Sequence, residues 1–219
     1  MKKVLKFLGF GFIIVIALLV FLAIVRQQTY PSQIRSSMPN ETLSRYYEEN
    51  GKAPAAFTHE PIDSFDYTGT VQAKHLLCIP EAEQVQISVR YGIVALESIA
   101  KEYDLASVPD LDGGKIKFRL RAFELIEGAF TNDDKNVDED EIISFAQFDV
   151  SYVRDLEMQR HMYHRLAFDG VDFEKYNCFY LDMYYENEDE AYTSIIIYHE
   201  DAAKHGKTVV LKEKDCKNS

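Results

Sequence analysis

The chain has 219 residues, a formal net charge of −12 and no tryptophan. Residues 1–26 hold four of the 24 basic residues and none of the 36 acidic ones, leaving 20 basic against 36 acidic residues beyond them, a balance of −16. So negative a surface repels phosphate backbones and excludes nucleic acid as an expected partner.

Taken in order, the chain opens on the run Val4 to Val25, which carries neither charge nor proline from Phe7 onward. Those 19 residues, at about 1.5 Å each, span roughly 28 Å as a helix, close to a hydrocarbon core of about 30 Å. Lys2, Lys3 and Lys6 precede it, so the positive-inside bias places the N-terminus in the cytoplasm and residues 27–219 outside. A cleaved signal peptide has a shorter apolar region and a small-residue cleavage site, and neither is found here. The reading is therefore a cytoplasmic tip and transmembrane signal anchor over 1–26, in contact with membrane lipid through residues 4–25.

Residues 27–66 read as a stalk, because Pro31, Pro39, Pro54 and Pro61 punctuate them. One helical fragment is expected there, from Pro39 to Asn50, with Gly51 as its stop. Asn40-Glu41-Thr42 matches a glycosylation sequon.

Residues 67–214 change to period two. Thr70 to Ile79 and Glu83 to Tyr91 read as a hairpin, with Val85, Ile87 and Val89 inward and Gln84, Gln86 and Ser88 on a wet face. Gly92 to Leu105 has helical spacing. Lys115 to Ile126 alternates again, placing Ile116, Phe118, Leu120 and Ala122 inward. Lys115, Lys117, Arg119 and Arg121 then form a basic outer face whose plain reading is pairing with acidic neighbours. Five further strands are expected at Ile142 to Val153, Met162 to Phe168, Tyr176 to Tyr185, Tyr192 to Tyr198 and Lys207 to Lys212, with Asp169-Gly170 as a tight turn. Residues 215–219 read as a polar tail in which Cys216 is exposed. This layout describes a mainly β chain, an N-terminal transmembrane helix followed by an extracytoplasmic immunoglobulin-like β-sandwich with one short helix; an α+β domain is the alternative.

Signatures of nucleotide binding, serine hydrolysis and zinc proteolysis are absent from the sequence. The acidic loop from Gly128 to Glu141 fits no EF-hand frame, since the sixth and twelfth positions lack the required Gly and acid. His161, His164, His199 and His205 have no ligating spacing, and Cys78 and Cys178 lie in apolar strands where either buried thiols or a bridge would fit. The tyrosine pairs Tyr46-Tyr47 and Tyr184-Tyr185 read as core rim, with a carbohydrate or peptide surface as the sharper option. No catalytic or cofactor-binding residue is assigned and no cofactor is expected, while the metal question stays open. The function expected is non-enzymatic: an acidic domain on the outer side of the plasma membrane that binds a partner protein or envelope component. The alternative is a membrane-anchored hydrolase or metal-binding protein, with a site built from His161, His164, His199, Asp169 and Glu200.

Overall fold

A computed structural model describes residues 14–21, 36–59, 61, 71–92, 116–126, 129, 137, 139–158, 161–185, 190–191, 193–199 and 206–217. The chain divides into two compact units, Met1–Ser36 and Ser37–Ser219. In the first, residues 14–21 are helical and their large apolar side chains are 45% to 61% exposed. Among the described residues no helix is long and apolar enough to cross a membrane; the rest of the run 4–25 lies outside them.

The second unit is mainly β. It runs α1 (Glu41–Asn50), β1 (Ala55–His59), β2 (Val71–Ile79), β3 (Gln84–Gly92), β4 (Ile116–Leu125), β5 (Ile142–Asp149), β6 (Tyr152–Met158), β7 (His161–Asp169), β8 (Cys178–Tyr185), β9 (Thr193–His199), β10 (Lys207–Val210) and α2 (Glu213–Cys216). The strands form two antiparallel sheets, ordered β10-β1-β2-β3-β7-β6 and β5-β4-β8-β9. Their inner faces meet in one core: Val85, Ile87 and Phe168 from the first sheet pack with Phe118, Leu120 and Leu181 from the second. This is a β-sandwich.

The helix proposed at Gly92 to Leu105 falls outside the described residues, apart from Gly92, which ends β3. The run from Ile142 to Val153, expected as a single strand, is two. β5 belongs to the four-stranded sheet and β6 to the six-stranded one, and the chain crosses between them at Val150–Ser151, where the Ser151 N–H donates to the Ala167 carbonyl at 2.8 Å.

The stalk expected over 27–66 does not hold for residues 37–59. Asn40 caps α1, its side-chain oxygen accepting from the Leu43 N–H at 3.1 Å, and Gly51 closes it at φ 65, a left-handed angle that suits glycine. β1 then takes a place inside the sheet, between β10 and β2. The polar tail is corrected likewise. Cys216 is 0% exposed, and Leu43 of α1, Leu77 and Ile79 of β2, and Cys216 of α2 share a second apolar cluster on the outer side of the six-stranded sheet.

β2 serves both clusters because of one bulge. His75 adopts φ 49, and the register to β3 shifts between Lys74 and Leu76. Ala73, Leu76 and Cys78 thereby face the main core, while Leu77 and Ile79 turn outward beneath α1.

β3 is also buried on two faces, against the expectation of a wet one. Val85, Ile87 and Val89 are in the core as expected, but Gln84, Gln86 and Ser88 are only 0%, 4% and 2% exposed. Gln86 accepts from the Met38 N–H at 2.6 Å and donates to the Met38 carbonyl at 3.0 Å. It also donates to Gln84 Oε1 at 2.7 Å, which accepts from Asn40 Nδ2 at 3.1 Å. Gln84 Nε2 donates to Asn40 Oδ1 and to Asp169 Oδ1, and Thr42 donates to the other Asp169 oxygen at 2.9 Å. With its amide buried in this network, Asn40 in the folded chain cannot accept a glycan.

Each cysteine sits in a different apolar cluster, and all three are free. Burial pushes the Cys178 thiol up to about 12 and Cys78 well above its ordinary value; burial first, then Asp215, raises Cys216. The thiolate is the reactive form, so at about pH 8, below the ordinary thiol value, alkylation of the native chain is expected to be slow at all three and rapid once urea unfolds it. A reducing agent should leave gel mobility unchanged.

Gln86→Ala should leave the Met38 N–H without a partner and its carbonyl with the Asn40 amide alone, costing about 1–3 kcal/mol and lowering the melting midpoint by roughly 2–12 °C. Gln147→Ala, at an exposed position of β5, should stay within about 0.5 kcal/mol of the parent.

Candidate functional site

The outer face of the four-stranded sheet gathers the chain's chemistry-bearing side chains. Strand alternation sends Lys117, Arg119, Arg121 and Phe123 of β4 to this side, and the β8 register sets Tyr184, Asp182, Tyr180 and Cys178 opposite them in turn. From β5, Gln147 and Asp149 stand across from Arg121 and Arg119. Lys115 lies outside the described residues.

Of the basic face, Arg119 and Arg121 are paired with acidic neighbours. Arg121 grips Asp182 with two N–H groups, the Nη2 contact measuring 2.8 Å, and Nη2 also reaches Ser194 Oγ at 3.2 Å. Asp182 is fully buried, so this fork is its replacement for water. Burial alone would lower Arg121, and the Asp182 carboxylate more than offsets it, so the guanidinium titrates above the ordinary arginine value. Arg119 Nε donates to Asp149 at 3.0 Å, and the guanidinium carbon lies 4.9 Å from the centroid of the Tyr184 ring. The arginines thus stack on aromatic faces while their donors hold carboxylates.

Toward the other end the face turns apolar. Phe123 meets Tyr180 edge-on at 5.2 Å and Phe145 at 6.1 Å. Burial foremost pushes the Tyr180 hydroxyl up to about 12, and the Val137 main chain hydrogen-bonds it. Phe145, Ile143 and Ile126 are left 62%, 58% and 46% exposed.

At the arginine end the strands part. β4 runs three residues, Ile116–Phe118, past its last β5 partner, and a cavity of about 400 Å³ opens there. Phe118, Val150, Val153 and Leu166 wall it, while Lys117, Arg119 and His164 add cations or polar nitrogen. His164 is 4% exposed and its Nδ1 contacts the Asp155 carboxylate. Four strands, β4 to β7, contribute to this cavity, and no local sequence pattern announces it.

Among the described residues, those considered for a dispersed metal or hydrolytic site are not brought together. Asp169 is five residues from His164 along β7, about 17 Å at strand rise, and is engaged by Gln84 and Thr42. His199 is in the other sheet, opposite Cys178; Glu200 and His205 lie outside the described residues, as does most of the loop 128–141. Among the described residues no three His, Cys, Asp or Glu side chains form a cluster that could hold a metal ion. Of the paired tyrosines, Tyr46 donates to Glu81 at 2.7 Å, Tyr47 lies 4.8 Å beneath Lys217, and Tyr184 is buried.

Compared with family models, curated proteins and solved structures, the chain matches none. Function has to be argued from the faces themselves.

The Arg121–Asp182 pair generates an asymmetric expectation. Arg121→Gln leaves a buried carboxylate without its partner and should cost about 3–5 kcal/mol in urea unfolding. Asp182→Asn leaves an arginine whose side chain is 29% exposed and can turn to water, so its cost should be clearly smaller.

Proposed function

We propose that the chain is a single-pass, non-enzymatic membrane protein whose acidic extracytoplasmic β-sandwich binds a partner protein. The observation that carries this reading is the contrast between the two outer faces. The six-stranded sheet is capped by residues 37–50 and α2, whereas the four-stranded sheet presents Phe145, Ile143 and Ile126 beside an arginine–tyrosine–aspartate array. Exposed aromatic and aliphatic side chains bordered by Arg and Tyr are the composition of protein interface centres, and among the described residues β5 is an edge strand able to pair with another chain.

The anchor is part of the same proposal. Its support is the uncharged run from Phe7 to Val25, the lysines before it and the exposed apolar helix at 14–21. The immunoglobulin-like reading is supported by two antiparallel sheets packed face to face; the six-plus-four strand order differs from the four-plus-three order of constant-type domains. The hydrolase alternative has no such support, because among the described residues Asp169 and His199 stand apart from His164.

Cross-linking and capture with the full chain in its native membranes test the face. The double variant Ile143→Ser, Phe145→Asp should melt like the parent, since both side chains are exposed, yet recover at least about tenfold less partner; undiminished capture would move the interface elsewhere. Protease added to intact spheroplasts should digest residues 27–219, and full protection would reverse the orientation.

A further inference from the structure

Among the described residues the two sheets end on four strands, β10 and β6 in one and β5 and β9 in the other. A sheet edge exposes main-chain donors and acceptors, and folded chains blunt it by shortness, by charge or by a bulge. β10 has only four residues and begins with Lys207. β6 carries Arg154, Asp155 and Glu157, and the ladder of β9 with β8 shifts register between Phe179 and Tyr180. β5 is guarded in none of these ways along most of its length. It has eight residues, residues 142–148 include no charge, proline or glycine, and its pairing with β4 continues unbroken from Arg119–Asp149 to Glu124–Ser144.

The two ends of this edge differ in charge. Glu139, Asp140 and Glu141 form the turn just before β5, and Glu139 and Asp140 are exposed. At the far end Asp149 is already engaged by Arg119 at 3.0 Å. A segment laid along β5 therefore meets the exposed side chains of Ile143 and Phe145 and then, at one end only, a block of carboxylates. A second copy of the chain does not complement that block. Two β5 strands paired antiparallel about Phe145 would set Glu141 opposite Asp149, and β5 brings no cation of its own.

We propose that β5 receives an added strand from another polypeptide, running antiparallel to it, in which alternating apolar residues are followed on the C-terminal side by lysines or arginines. This rests on the reading of the four-stranded face as the protein interface, and it adds the conformation, direction and charge of the partner segment. Every described strand pairing in the chain is antiparallel, and antiparallel pairing is the more stable per residue. That direction carries the C-terminal end of the added segment to Glu139, Asp140 and Glu141. Main-chain hydrogen bonds to β5 supply affinity, apolar contacts with Ile143 and Phe145 select the alternating residues, and opposite charges at the acidic end fix the orientation.

The test uses the full chain in discs of neutral lipid and the fluorescence anisotropy of blocked, labelled peptides, with empty discs as the blank. One peptide reads Val-Thr-Val-Thr-Val-Thr-Val-Lys-Lys; the second has the same composition and charge with both lysines moved to the front; the third is the first with proline in place of its central threonine. The first should bind saturably and protect the amides of β5 from hydrogen exchange. The second should bind about fivefold more weakly, as misplacing two opposite-charge cross-strand pairs implies, and the third should not bind at concentrations that saturate the first. Glu139→Lys with Asp140→Lys, at exposed positions, should melt like the parent and reverse the order of the first two peptides. No saturable binding of the first, equal binding of the first two, or equal binding of the proline peptide would each overturn strand addition. Loss of native capture in Ile143→Ser, Phe145→Asp without binding of the first peptide would refute strand addition while leaving the interface on this face, so the two readings fail separately.

Discussion

The folded unit depends on the polar network that joins Met38 and Asn40 to Gln84, Gln86 and Asp169. These side chains lie on the outer face of β3, where a strand of ordinary alternation would meet water. The chain covers that face with its own segment 37–50, so every donor and acceptor beneath it has to find a protein partner. The amides do so reciprocally, each using both its carbonyl oxygen and its N–H groups. A network satisfied on all sides specifies one placement of the covering segment, because any shift leaves buried groups unpaired. The apolar cluster under α1 adds burial energy, and the amides supply the register.

This explains which parts of the fold were legible. Val85, Ile87 and Val89 alternate with polar residues, and the alternation correctly identified their inward direction. The same pattern cannot distinguish glutamines bonded to water from glutamines bonded to main chain, so the covered face was hidden. Pro39, Asn40 and Gly51 marked the ends of a helix, yet its prolines suggested a spacer, because nothing local reports that Leu43 has a partner across the sheet. The run from Ile142 to Val153 concealed a crossing between sheets, since both halves share one alternating pattern and Val150–Ser151 is no strong turn signal.

The outer face of the four-stranded sheet was more transparent. Lys117, Arg119 and Arg121 stand at alternate positions of an apolar strand, which fixes their common side, and pairing with acids follows from the chain's excess of carboxylates. The identity of those acids, Asp149 and Asp182, is a matter of register between strands far apart in sequence. The cavity beside His164 depends on the same long-range pairing. Local periodicity orients a residue; only the assembled sheets decide its company.

The covering segment also has a mechanical meaning. Any pull applied to the chain ahead of Ser37 enters the domain at Ser37 and Met38. There Ser37 Oγ donates to the Asp215 carbonyl at 2.7 Å, and Met38 is held by Gln86 through its main chain. The entry point of the chain is thus tied both to a central strand and to the last helix, so tension is delivered to the middle of the sheet and shared with the C-terminus. A tether attached there would load hydrogen bonds to β3 before it could peel β10 from its edge.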